Sequence, residues 1–204
     1  MPIVRTQSTF DAPAEPAADL AHKLARLAAP LPAERRAAAQ ALATEPQAVG
    51  ALLAALAREP AVAVMTALLA ALVEIGTGEA QAGLADCLRS ENAWLRNAAI
   101  HVLRATPQQA APLVVDLLAD PERDVRILAI GILDAVRDPR VEAWLIDVIE
   151  RDDDVNVCGA AIDLLAEVAS PAAAEPVARL LARWPDEPYI RFAAQLVQRR
   201  IGGA

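Results

Sequence analysis

The side chains able to do covalent or metal chemistry are few in this sequence and badly spaced for it. Cys87 and Cys158 are the only cysteines, with no CxxC pair and no histidine nearby. Two isolated cysteines read as small buried apolar residues of a reducing compartment. His22 and His101 stand alone, so neither an HExxH nor a His-Glu metal pair exists. Ser8, Ser90 and Ser170 are the only serines, and none lies in a GxSxG elbow. GxxxxGK[ST] and GxGxxG phosphate loops are absent as well. The run Asp152-Asp153-Asp154 reads as a loop and helix N-cap, because a divalent cation needs more oxygen ligands than it offers. The sequence therefore assigns no catalytic residue, no metal and no cofactor.

What recurs is charge. The net charge is −8, and Lys23 is the only lysine. An acidic surface repels phosphate backbones, and no basic run offsets it, so nucleic acid is not an expected partner. The opening residues lack a basic region followed by a long apolar one, and no stretch of about 18 strongly apolar residues occurs. A cytoplasmic protein that does not enter a membrane is expected.

Those charges must be positioned by helices. Of 204 residues, 49 are Ala and 26 Leu, while aromatics make up 3%. Such a chain favours helix and excludes an all-β fold, a disordered chain and a disulfide scaffold. Residues 1–16 hold three prolines and no apolar periodicity, and read as a flexible tail. Beyond them, helical patterns alternate with breakers such as Glu59-Pro60, Gly76-Thr77-Gly78, Asp120-Pro121 and Ser170-Pro171. Three segments align internally, beginning at Trp94, Asp124 and Asp154, and a weaker copy begins at Tyr189. The aligned polar position runs Arg35, Met65, Arg96, Arg126, Asn156 and Arg191, at intervals of 30, 31, 30, 30 and 35. Each unit carries a second helix with an i, i+3, i+4 apolar stripe, for example Val114…Leu117-Leu118. A lone helix pair cannot bury both faces, whereas stacked neighbours can, so the period predicts a solenoid.

The pattern Asp120-Pro121-x-x-Asp124-Val125-Arg126-x-x-Ala129-x-x-x-Leu133 resembles the HEAT repeat, in the short bacterial form similar to the repeats of phycobilin lyases. The resemblance spans about residues 33–200 and is weakest in the first two repeats. It implies an all-α, right-handed α-α superhelix of about twelve helices in antiparallel pairs. One solenoid domain over 17–204 is expected, with repeats near 33–58, 61–89, 92–119, 123–150 and 154–183. A polar capping helix over 187–200 closes it.

Asp124 can cap its helix, and Arg126, one turn in, can reach the neighbouring repeat. In HEAT-like proteins such residues form an inter-repeat ladder, and the resemblance implies this for Arg96, Asp124, Arg126 and Arg191. It also implies a concave surface lined by the second helices. At one position of those helices stand Ala54, Asp86, Asp116, Asp147 and Arg179. The expected site is an acidic stripe of Asp86, Asp116 and Asp147 ending in Arg179 and Arg183. Trp94, Trp144 and Trp184 share no repeat position and are expected to pack in the core or at helix edges.

The expected function is a non-catalytic scaffold or adaptor that binds a protein or peptide, basic or amphipathic, on the concave face. A chromophore lyase or maturation factor, suggested only by the resemblance, is one alternative. A regulatory subunit of a larger enzyme is another.

Overall fold

A computed structural model describes residues 16–203, so the expected flexible tail lies almost entirely outside the described residues. The described residues form twelve α-helices and two 3-10 turns, with no strand among them. The helices are α1 (Pro16–Arg26), α2 (Pro32–Ala41), α3 (Val49–Leu56), α4 (Val62–Ile75), α5 (Gly78–Arg89) and α6 (Ala93–Ala105). They continue with α7 (Pro107–Leu117), α8 (Arg123–Leu133), α9 (Val141–Arg151), α10 (Val155–Val168), α11 (Ala174–Arg183) and α12 (Pro188–Gly202).

Local sequence sets these boundaries. Pro32, Pro107 and Pro188 open their helices, where the missing N–H costs nothing. Asn92 and Asp154 each accept two backbone N–H bonds at the starts of α6 and α10, and Thr77 accepts one at the start of α5. Gly76 ends α4 in the left-handed region at φ 61°, a conformation that costs a side chain about 1 kcal/mol or more.

Two layers result. The first helices α2, α4, α6, α8, α10 and α12 pack each against the next, and the second helices α3, α5, α7, α9 and α11 lie across them. The described residues form an all-α solenoid. Its core runs between the layers as one continuous cluster, with Leu42, Leu72, Leu103 and Leu133 fully buried at matching heights of successive first helices. Small residues recur on the buried face of this layer. Ala38, Ala99, Ala129, Gly159 and Ala194 each stand three residues after the recurrent polar position, and all are buried.

Candidate functional site

The edge where successive repeats join carries a series of arginines. Arg35 donates through Nε and Nη2 to both Glu59 oxygens at 2.8 Å, and through Nη1 to the carbonyls of Ala29 and Pro30. Arg126 repeats this almost atom for atom. It reaches Asp152 at 2.6 and 3.0 Å, and the carbonyls of Asp120 and Pro121 at 2.9 and 3.3 Å. A planar guanidinium suits this task, because its fork meets a carboxylate and leaves a donor for the preceding loop. The carboxylates are nearly enclosed, with Glu59 4% and Asp152 9% exposed as side chains.

The other expected rungs differ. Arg96 reaches only the carbonyl of Ser90 at 2.8 Å, within its own loop. The Asp120 carboxylate that would match it is taken by Arg89, from the end of α5. Arg191 is exposed and makes no ion pair among the described residues. Asp124 does not cap α8. That helix begins at Arg123, so Asp124 lies inside its first turn with a 79% exposed side chain, while Asp120 holds the Glu122 N–H. In the sequence Glu59, Asp120 and Asp152 stand as breaker and loop residues and Arg89 as a polar residue of the second-helix face, with no motif that pairs them across repeats. Their signal is position, since the acids fall 24 or 26 residues after an arginine, two of them directly before a breaker proline.

The second helices carry the expected charged residues. Asp86, Asp116 and Asp147 are all exposed on α5, α7 and α9. Asp86 accepts from Arg89 at 3.1 Å, and Asp147 pairs with Arg151 at 2.8 Å. Arg179 bridges Glu150 of the preceding repeat and Glu175 of its own helix. Arg183 departs from expectation, because its guanidinium is spent internally. It donates to the carbonyls of Ile149 and Glu150 at 2.7 and 3.1 Å, the unsatisfied C-terminal end of α9, and to Cys158 Sγ at 3.1 Å.

The thiols are held inert. Burial, aided by the Asp86 carboxylate, pushes Cys87 up to about 11, and burial raises Cys158 against the opposing pull of Arg183. No group of three or more His, Cys, Asp or Glu able to hold a metal occurs among the described residues.

Two hollows open along the second-helix face. The larger, about 640 Å³, lies between α7 and α9 over Val115, Leu118, Trp144 and Val148, and is ringed by five aspartates and two arginines. The smaller, about 430 Å³, runs over Ala111, Pro112 and Val136 beside the α8–α9 connection. Val115 and Trp144 line both, so the two hollows adjoin, and together they are called the groove. Trp144 is half-buried, with the Arg140 guanidinium 5.1 Å from its ring centroid. Arg140 in turn grips Asp138, whose carboxyl is lowered to about 2 by that contact. Of the expected binding residues, the groove gathers Asp116 and Asp147, while Asp86, Arg179 and Arg183 lie outside its lining. Trp94, expected to pack, is 73% exposed in the first turn of α6, where the Asn92 side chain accepts its backbone N–H.

Residues 111–197 match the family model described as HEAT repeats. Comparison of the sequence with curated proteins returned no match. Among solved structures, an engineered protein is 17% identical at a TM-score of 0.43, covering 91% of this chain and 97% of that one. The CpcE–CpcF complex of phycocyanin lyase from Nostoc sp. is 19% identical at a TM-score of 0.38, with 97% and 99% covered. Computationally designed armadillo repeat proteins for modular peptide recognition are 17% identical at a TM-score of 0.38, with 89% and 99% covered. Among the described residues no helix is long and apolar enough to cross a membrane.

Proposed function

We propose, for a chain whose residues 111–197 match HEAT repeats, a non-catalytic role as a scaffold or adaptor that binds a protein or peptide partner across its second-helix face. The observation that carries this reading is the display of Asp86, Asp116 and Asp147 on three successive second helices, all exposed. Their spacing follows the repeat, so a partner lying across the helices meets a carboxylate at each step. An acidic face of this kind favours basic or amphipathic segments and steers their approach. Nothing in the surroundings of these carboxylates equips them for acid–base work, since each is open to water on a helix face.

A lyase for a chromophore would need a pocket that accepts the carboxylates of an open-chain tetrapyrrole. The hollow between α7 and α9 offers Asp153, unpaired among the described residues, and two arginines already held by aspartates, which disfavours an anionic ligand.

Affinity capture from the native cell tests the proposal. A partner retained by the full chain and released when Asp86, Asp116 and Asp147 are all changed to Lys supports it. Equal retention by the triple variant, or no partner retained at all, overturns it.

A further inference from the structure

The second helices do not stack evenly. The junction of α7 with α9 is sparser than those of α5 with α7 and of α9 with α11. It coincides with the α8–α9 connection, residues 134–140, which runs seven residues without helix, whereas a single residue separates α6 from α7. The gap is the groove over Val115 and Trp144.

Its two ends differ chemically. At the α8–α9 connection the lining is Ala111, Pro112, Val115, Val136 and the Trp144 ring, and the two aspartates are balanced by two arginines. Toward the α9–α10 loop the aspartates outnumber the arginines, and both arginines are already engaged. Arg126 is held in a two-bond pair with Asp152, and Arg151 pairs with Asp147. Asp153 is exposed and makes no ion pair among the described residues. Asp120 and Asp154 are paired with Arg89 and Arg123, so a ligand meets an apolar shelf followed by the unpaired Asp153 and the exposed Asp147–Arg151 pair.

We propose that this groove receives a short peptide segment of a partner protein, one in which large apolar side chains are followed closely by arginines or lysines. The proposal rests on the partner-binding reading above and narrows it to one junction. The apolar side chains lie on Trp144 between Pro112 and Val115, and a volume of about 430 Å³ admits one or two of them. The cationic side chains reach Asp147 and Asp153. A new guanidinium can take Asp147 from Arg151 at little cost, because that pair is exposed, with side chains 51% and 79% accessible, and exposed pairs contribute little. An acidic or purely apolar segment satisfies only one half of the groove.

Fluorescence anisotropy on the full chain tests this with three labelled 12-residue peptides. One carries two leucines at one end and three arginines at the other. The second replaces arginine by glutamate, and the third replaces leucine by alanine. The expected result is saturable binding of the first, weakened by salt, and at least about tenfold weaker binding of the other two. The variant Asp147→Lys/Asp153→Lys changes only exposed side chains, and Val115→Arg fills the shelf. Both should weaken the first peptide about tenfold or more while the helical circular dichroism is kept. Asp86→Lys, outside the groove, should leave it unchanged. Equal binding of all three peptides, or binding indifferent to both groove variants, overturns the proposal. So does concentration-dependent self-association abolished by Val115→Arg without any peptide response, which would make a second copy the occupant. Natural partner capture separates the two readings. Loss with Asp86→Lys but not with the groove variants leaves the wider acidic face standing and removes the groove, whereas loss with none removes both.

Discussion

Arg89 at the end of α5 pairs with Asp120 in the loop before α8, and so takes the carboxylate that the repeat pattern would give to Arg96. The reason lies one repeat earlier. Met65 replaces the arginine there and is buried among apolar neighbours, and Arg89 falls 24 residues later, the spacing at which Glu59 follows Arg35 and Asp120 follows Arg96. With no arginine to meet it, that position can itself be cationic and reach forward. Arg183 makes the same kind of exchange in the repeat where Asn156 replaces arginine, reaching back to the end of α9. In both repeats that lack the first-helix arginine, an arginine closing the second helix binds a neighbouring repeat.

Arg89→Ala should therefore destabilise the chain more than Arg96→Ala. The Asp120 side chain is 2% exposed, and stripping a buried carboxylate of its cation costs about 2–3 kcal/mol. Arg96 loses a single bond to a loop carbonyl, about 1–2 kcal/mol. Urea denaturation of the two variants measures the order, and equal midpoints would show that the exchange carries no stability.

Arg126→Ala should lower thermal stability while leaving peptide affinity nearly unchanged. Its four bonds tie the loop before α8 to Asp152 before α10, and their loss leaves Asp152 enclosed with only a backbone N–H for company. About 2–3 kcal/mol is expected, a shift of roughly 5–10 °C for a chain of this size. Scanning calorimetry beside the anisotropy titration checks it. Intact stability with lost binding would instead make Arg126 a partner-contacting residue.

Acid should weaken the first junction through Glu59. The hydrogen bonds from Arg35 hold its carboxyl below the ordinary value of 4.5, against the opposing effect of burial. A carboxylate depressed in the folded state stabilises fully above its unfolded value, and that contribution disappears as pH falls through the folded value. The difference in stability between the native chain and Glu59→Gln should accordingly be constant near neutrality. It should shrink progressively below about pH 4.5. A pH series of urea midpoints reads it, and a difference that grows with acid would contradict the assignment.

The helices and the layer contacts are legible in the sequence because they rest on periodicity. Apolar stripes, breaker prolines and the alanines at Ala99 and Ala129 repeat at fixed spacing, and close packing then follows from small side chains. The arginine seam is legible only where a repeat keeps the pattern, as at Arg126. Where Met65 and Asn156 break it, the replacement arises at the other end of the repeat, and periodicity does not say what Arg89 or Arg183 binds. The groove is less legible still. It lies where α7 and α9 stand apart beside the seven-residue 134–140 connection, a spacing that no repeated residue marks. Trp144 illustrates this, since its sequence neighbours mark it as packed, yet the open junction beside it leaves the ring half-exposed.

Gly83 gives a final test of the solenoid's packing. It sits on α5 against α3, and a Cβ built there would overlap Leu53 Cδ2 and lie 3.2 Å from Leu53 Cγ. Leu53 must therefore move when Gly83→Ala is made. Alanine gains about 1 kcal/mol of helix propensity over glycine, while overpacking of this kind costs about 1–3 kcal/mol. A net loss of up to about 2 kcal/mol is expected for Gly83→Ala alone. In Leu53→Ala the obstructing atoms are gone, so adding Gly83→Ala to it should stabilise by about 1 kcal/mol. The sign of the same substitution thus reverses with its neighbour, a coupling that a double-mutant cycle in urea measures directly. A Gly83→Ala effect that is the same in both backgrounds would mean that α3 and α5 do not approach at this point.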